Sequence, residues 1–281
     1  MSNPKDSGFI ESGRFRIIEV FALWEGRANT THLQNILKIS RQTASDIIRQ
    51  YQKRHPLNLE YNASLKGYVP TAEFAPHYSL GNIDEYNQTL LHSQHPEYVS
   101  IVETGFTHLD APLRKISPAL VQPIIRAIRD KLRLDIGYTS ISNPEYESRI
   151  IEPHSLVFEG MRWHVRAYCC KNQSYRDFVL SRFNGEYAFE GPATHFAAQD
   201  ENWNTWLELI IEPDSRLKPE SRRIIEMDYQ MENGQRIIPV RAALLMYLTQ
   251  RLRLDHYQTT PEAQQIIINP ECLKKIASYL P

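Results

Sequence analysis

A chain of 281 residues is long enough for two or three small domains, and 42% hydrophobic with 23% charged residues is the make-up of an ordinary globular protein. No run approaches the ~20 apolar residues that span a bilayer, and the longest candidate, residues 237–248, is broken by Pro239 and Arg241. Residues 1–8 lack a charged-then-apolar leader pattern, and Cys169, Cys170 and Cys272 form no C-x-x-C spacing. The expectation is a cytoplasmic protein with no membrane contact, reduced packing thiols, no metal and no cofactor. Net charge is −1, but it is unevenly spread. Residues 27–66 hold seven basic side chains (Arg27, Lys38, Arg41, Arg49, Lys53, Arg54, Lys66) against Asp46 and Glu60, a local +5 on a body of −6. Such a chain meets phosphates with one end only.

In chain order, Ile17, Val20, Phe21 and Trp24 recur at i, i+3, i+4, i+7 and predict a helix over residues 14–24, stopped by Gly26. Thr30 or Thr31 can cap a short second helix over 33–37. Ile39 and Ser40 make a tight turn, and Ser40 can cap a third helix starting at Arg41 and ending before Pro56. That helix buries Ala44, Ile47, Ile48 and Tyr51. Its other face carries Arg41, Gln42, Thr43, Ser45, Asp46, Arg49, Gln50 and Lys53, side chains able to hydrogen-bond base edges or phosphates. Residues 57–61 and 68–70 alternate around a polar Gly-containing loop, the mark of a β-hairpin. Two helices, a tight turn, a polar-faced helix and a hairpin make a winged helix-turn-helix with Lys66 at the wing tip. We assign DNA contacts to Arg41, Gln42, Thr43, Ser45, Arg49, Lys53 and Lys66. The competing reading, a structural three-helix module with a solvated polar face, lacks a reason for the local charge.

Residues 75–117 show no clear period beyond some helix over 82–92. His77, His92, His95 and His108 fall here, and the His92/His95 pair lacks a third ligand at metal spacing. A helix is predicted over 117–129, after which the pattern turns to strands: 132–138, Ile150 and Ile151 ahead of Pro153, 156–158 running into a Glu159-Gly160 turn, 161–168, 178–183 and 187–189. Short strands with close turns predict a small β-barrel or sandwich. On an extended strand Arg162, His164, Arg166 and Tyr168 share one face, and Trp163, Val165 and Ala167 the other, which makes Trp163 an expected core residue. Tyr138, Ser142, His154 and Arg182 could converge on the polar face. Arginines, histidines and tyrosines together suit a phosphate or a nucleobase. They equally suit surface salt bridges to Glu152, Asp177 or Glu186, and residue types alone leave the two readings level. Beyond Trp203 a strand over 206–211, a helix over 219–227, an Asn233-Gly234 turn, a helix over 240–252, a strand over 266–268 and a helix over 270–280 predict a small α+β module.

The phrase Arg162-Trp163-His164-Val165-Arg166-Ala167-Tyr168-Cys169, with residues 175–183 behind it and 151–158 ahead of it, resembles the WYL domain of bacterial transcription regulators. The name-giving triplet reads Trp163-His164-Val165, so only its first residue is kept. The resemblance is greatest to WYL repressors encoded beside phage-defence systems such as BREX and CBASS, and extends over nearly the whole chain. It implies a multidomain α+β protein: winged helix-turn-helix (1–75), helical connector (76–130), SH3/Sm-like WYL β-barrel (131–195) and C-terminal dimerisation domain (196–281). It further implies a repressor that binds duplex DNA at an inverted repeat as a homodimer. The implied effector is a nucleotide or oligonucleotide, held by Tyr138, Ser142, His154, His164, Arg166, Tyr168 and Arg182. An alternative is an RNA- or single-stranded-DNA-binding protein acting through the barrel. An enzyme is disfavoured: G-x-G, Walker, H-E-x-x-H and nucleophile-elbow patterns are all missing.

Overall fold

The computed structural model describes residues 4–93, 114–142, 144–145 and 147–280. They divide into two compact units, one on either side of residues 94–113.

The first unit is built on α1 (Pro4–Glu25), α2 (Thr30–Leu37), α3 (Arg41–Arg54), the β1–β2 hairpin (Leu59–Asn62, Gly67–Pro70) and α4 (Ile83–Ser93). Gly26 ends α1 with φ 69°, a left-handed conformation that glycine adopts without steric penalty. The helix α2 starts earlier than its periodicity suggested. Asn29, in extended conformation, caps it by accepting from His32 N at 3.0 Å, so Thr30 and Thr31 are helical rather than capping. Ser40 caps α3 as expected, its hydroxyl accepting from Thr43 N at 3.1 Å. The stripe Ala44, Ile47, Ile48 and Tyr51 is buried against Phe15, Ile18 and Phe21 of α1 and Leu33 of α2. On α1, Trp24 is exposed and Phe15 takes the core place instead. Gly67 lets β2 approach the α1–α2 turn: a Cβ there would sit 3.1 Å from Ala28 O, beside the Ala28–Tyr68 bridge. The helix expected within the connector, α4, packs Tyr86 and Leu90 into this same core.

A charged network lies inside it. Glu19 is fully buried on α1, accepts from Tyr51 Oη at 2.9 Å, and collects the backbone N–H groups of His77, Tyr78 and Ser79 at 2.6–3.0 Å. Asn58 donates to Tyr51 Oη and to Ala75 O, both at 2.8 Å. Burial, with Glu19 assisting, pushes the Tyr51 phenol far above its ordinary range. The base of α3 is thereby tied to α1 and to the chain leaving the wing.

The second unit opens with α5 (Pro118–Asp130), whose Ile124 and Ala127 cover a five-stranded antiparallel sheet of order β6-β5-β4-β3-β7. The strands are β3 (Leu132–Tyr138), β4 (Glu147–Phe158), β5 (Trp163–Cys169), β6 (Ser174–Val179) and β7 (Phe183–Pro192). The edge strands β6 and β7 are joined by a single 3-10 turn, Leu180–Arg182. Four strand spacings of ~4.8 Å make ~19 Å in a flat sheet, beyond the ~14 Å that four residues can span. The sheet is therefore rolled, as a small barrel is. A register shift between Pro153 and Ser155 bulges β4 where proline cannot donate to the ladder. The inside is filled by Leu134, Ile136, Tyr138, Val165, Ala167, Phe178 and Phe183.

Residues 206–280 form β8 (Trp206–Pro213), α7 (Pro219–Asp228), β9 (Arg236–Arg241), α8 (Leu245–Arg251), β10 (Ile266–Ile268) and α10 (Pro270–Ile276), with one-turn helices α6 (Glu201–Asn204) before β8 and α9 (Pro261–Gln264) before β10. The sheet order is β10-β8-β9. The helix expected over 240–252 is shorter: Val240 and Arg241 pair with Leu207 and Trp206, because a neighbouring strand overrides the helical period there. Cys169 and Cys272 are buried, Cys170 half-buried, and all three are free. No helix among the described residues is long and apolar enough to cross a membrane.

The expected core role of Trp163 is wrong. It stands at the start of β5, 42% exposed, and its ring meets only the exposed Phe158 at 5.2 Å. Inward-facing alternation does not bury a residue at a strand end. Trp163→Ala should cost under ~1 kcal/mol in urea unfolding, whereas Tyr138→Ala, which removes a ring packed between Phe178 and Phe183, should cost ~3–5 kcal/mol. Glu19→Ala removes the acceptor of the buried Tyr51 phenol and of three backbone N–H groups. It should destabilise the first unit by ~2–4 kcal/mol, seen as an early transition in the same titration.

Candidate DNA interface and effector site

On α3 the outward face is free. Arg41, Gln42, Thr43, Arg49 and Lys53 are exposed and Ser45 is half-buried. Asp46 organises them, accepting from Arg49 Nη2 at 2.6 Å and from Gln42 Nε2 at 3.4 Å. An exposed pair of this kind is worth little and exchanges readily for a base or phosphate. Thr43 is tied to the cap through Ser40 Oγ at 2.9 Å, which directs it to the first turn.

Arg41 and Lys66, distant in sequence, meet in a cleft of about 470 Å³ between the α2 N-terminus, the start of α3 and the wing. Arg27 and the α2 start, Asn29, Thr30 and Thr31, complete it. Arg27 Nη1 also donates to Leu65 O at 2.9 Å, bracing the wing tip, where Lys66 adopts φ 50°. Three cations and the positive end of a helix dipole point to a phosphate. Arg27 was counted in the local charge but not assigned a contact, because only the fold brings residue 27 beside residue 66.

The barrel residues sort differently. Tyr138 is a core residue: its ring is inside the barrel and its Oη accepts from Val179 N at 3.2 Å. It sits on the opposite face from Arg166 and does not join the polar cluster. Ser142 is exposed and its hydroxyl pairs with Ser140, so it does not join it either. His154, Arg166 and Tyr168 do come together with their neighbours, but under cover of residues 193–203, and His164 beside them lies against Tyr247 of α8. Glu152, buried at the edge of this face, accepts from Thr194 N at 3.0 Å and from the backbone and Nδ1 of His195. The His195 ring stacks on Tyr168 at 3.6 Å and 7°. Tyr175 Oη donates to Phe196 O at 2.9 Å. Asp200 then takes the Arg166 fork, from Nε at 2.7 Å and Nη2 at 3.0 Å, while also capping α6 through Trp203 N.

Burial works against the Arg166 charge, but Asp200 and Asp177 outweigh it and hold the guanidinium above its ordinary pKa. Burial likewise opposes ionisation of Asp200, and Arg166 reverses the balance, keeping its carboxyl below the usual range. His154, 3.3 Å from Asp200, has its pKa depressed by burial against the pull of that carboxylate. The third Arg166 nitrogen reaches Asp177 at 3.3 Å, and Asp177 accepts from Tyr247 Oη of α8 at 3.0 Å. The Tyr247 ring packs tilted against His164, 5.0 Å between centroids and 30° between planes. Burial lowers the His164 pKa, and Arg182 lies near enough to add to that. Of the two readings open in sequence, Asp177 supplies one foreseen salt bridge. Asp200, unforeseen, supplies a stronger one; its only sequence signal is an aspartate at a helix start. The pair His92/His95 falls partly outside the described residues.

The profile of the BrxR transcriptional regulator winged helix-turn-helix domain matches residues 11–92, that of the WYL domain residues 119–185, and that of the BrxR transcriptional regulator C-terminal dimerization domain residues 206–276. The DNA-binding transcriptional repressor CapW of Pseudomonas aeruginosa is 32% identical over 277 residues, covering 95% of this chain and 91% of its own. CapW of Escherichia coli strain KTE188 is 35% identical, covering 91% and 87%. Among solved structures, proteasome accessory factor B/C of Arthrobacter aurescens aligns with 96% of this chain and 47% of its own, at 14% identity and a TM-score of 0.28; this chain spans about half its length, and so low a score carries no argument. Profiles along three successive domains and full-length relatives above 30% identity place the chain in the BrxR-type WYL transcriptional regulators, homologous to CapW: it is a DNA-binding transcriptional repressor with a C-terminal dimerisation domain, not an enzyme.

Proposed function

We propose that this repressor reads an inverted-repeat operator as a homodimer, controls a phage-defence operon, and is relieved by a nucleotide or oligonucleotide acting on the WYL domain. The observation that carries the DNA reading is the basic cleft joining Arg27, Arg41 and Lys66 beside the exposed face of α3. Cleft residues hold phosphates and fix register, while Gln42, Thr43, Ser45 and Arg49 face the base edges and Lys53 the far phosphates. Two-fold pairing is favoured by large apolar side chains left open on the C-terminal domain, Trp206 at 60% and Ile237 at 52% exposure. The resemblance to defence-associated repressors supplies the operon class. Direct nucleic-acid binding by the polar face of the barrel is disfavoured, since residues 193–203 already cover it.

Within the barrel, His154, His164, Arg166, Tyr168 and Arg182 act in our reading as the responsive network rather than an open pocket. A ligand shifts operator affinity only by favouring one of two states, and Asp200 release from Arg166 defines two such states.

Duplex footprinting upstream of the gene, followed by anisotropy titrations at several salt concentrations, tests the interface. Arg27→Ala and Lys66→Ala should weaken binding on operator and scrambled duplex alike and reduce the salt slope by ~1 each. Arg49→Ala should cost ~1–3 kcal/mol on the operator and relax preference at one base pair. Unchanged operator affinity in Arg41→Glu and Arg49→Glu would remove α3 from the groove. For the network, Asp200→Asn should destabilise the second unit by ~3–5 kcal/mol in urea unfolding and, at temperatures where it stays folded, alter the effector response in a reporter driven by the native promoter. A response identical to wild type would exclude Asp200 from the switch.

A further inference from the structure

The Arg166 fork is filled by the chain's own carboxylate, so an incoming anion meets no open guanidinium there. A different cavity offers several. Between the β4–β5 turn of the barrel and α8 of the C-terminal domain lies a cavity of about 480 Å³, lined by Arg114, Glu159, Met161, Arg162, Tyr247 and Arg251. Arg162 Nε is paired to Glu159 at 3.1 Å. Arg114 and Arg251 have no acidic partner among the described residues, leaving the cavity with a surplus of two positive charges. Gly160 forms its floor at φ 109°, with the Arg251 guanidinium against it: a Cβ on Gly160 would sit 3.7 Å from Arg251 Cζ. Only glycine holds that backbone region without strain. The Arg251 guanidinium thus lies beside the Gly160 backbone, with no carboxylate paired to it among the described residues.

The cavity also touches the network already described. Its Tyr247 wall packs against buried His164 and donates to Asp177, which holds Arg166. His164 Nδ1 is buried with no hydrogen-bond partner among the described residues. A dianion drawn in by Arg114, Arg162 and Arg251 therefore binds one tyrosine away from the Asp177–Arg166–Asp200 chain.

We propose that this cavity is a phosphate site: it takes a phosphate-bearing anion through Arg114, Arg162 and Arg251, with Tyr247 and Met161 as apolar walls for whatever the phosphate is attached to. Guanidinium forks match phosphate oxygens in number and geometry. The inference deepens the effector reading above by placing the anion, and it rests on that reading only for its regulatory consequence.

The test is calorimetry on the full-length protein with two probes, inorganic pyrophosphate and ADP. Binding of either, weakened about tenfold or more in the Arg114→Gln/Arg251→Gln double variant with an unchanged melting temperature, is the expected result. The same binding should persist in Arg41→Gln, which separates the cavity from the DNA cleft. ADP binding more tightly than pyrophosphate identifies a nucleotide-type ligand; equal binding identifies the free anion. No binding of either probe at millimolar concentration, or binding unaffected by the double variant, overturns the site. Operator release by a nucleotide that is the same for wild type and double variant leaves the effector reading standing and removes the cavity from it. Probe binding lost in the double variant, with no nucleotide releasing operator, keeps the cavity and removes the effector reading.

Discussion

The buried pairing of Arg166 with Asp200 governs the second unit. A guanidinium taken out of water needs its donors satisfied and its charge matched, and removing one partner from such a pair is far more costly than the pair is stabilising. Here Asp200 meets two donors in one bidentate contact and caps a helix with its remaining capacity. The sheet, the covering segment 193–203 and the entry to the C-terminal domain are consequently held to one geometry. Glu152 repeats the device at the other end of the segment, gripping the backbone of Thr194 and His195. Between them the aromatic rings of Tyr168, His195, Tyr175, His154 and Trp203 fill the space in stacked and edge-on contacts. A polar sheet face that reads as a pocket in the sequence is in this way converted to an internal surface.

Local signals in the sequence placed α3, although the equally local cap of α2 is Asn29 and not Thr30 or Thr31. The stripe of α3 and its Ser40 cap depend on residues within one or two turns, and both are where the periodicity places them. Leu134, Ile136 and Tyr138 share one buried face of β3, whereas the sequence reading set Tyr138 with the polar residues. Burial excludes Tyr138 from the polar cluster, and strand periodicity gives a side but not the identity of that side. Trp163 failed for the opposite reason: alternation was correct in phase, yet the strand begins there and, among the described residues, Phe158 is the one ring against it. Val240 and Arg241 followed a helical period but pair with β8, a partner more than thirty residues earlier in the chain.

The site was legible in residue type and illegible in pairing. Arg166 and Asp177 were singled out as a possible bridge; Asp200 was not, since a carboxylate 34 positions away in a segment without periodicity gives no hint of its destination. Arg27 and Lys66 were both visible as charge, but their meeting depends on the close passage of β2 behind Ala28 that Gly67 permits. The comparisons with known repressors settle the family where residue arithmetic settles only the chemistry on offer.

Glu19 has a consequence that reaches beyond its own network. A carboxylate shared by Tyr51 of the recognition helix and by three successive backbone amides at residues 77–79 makes the reading head one mechanical piece, from the first helix to the segment beyond the wing. Such a piece does not soften gradually, because loosening any member exposes a buried charge. The surface presented to the groove is thereby held to one shape. On the function proposed above, relief would act on the spacing of two such heads and leave each head unaltered, as a calliper opens without bending its jaws.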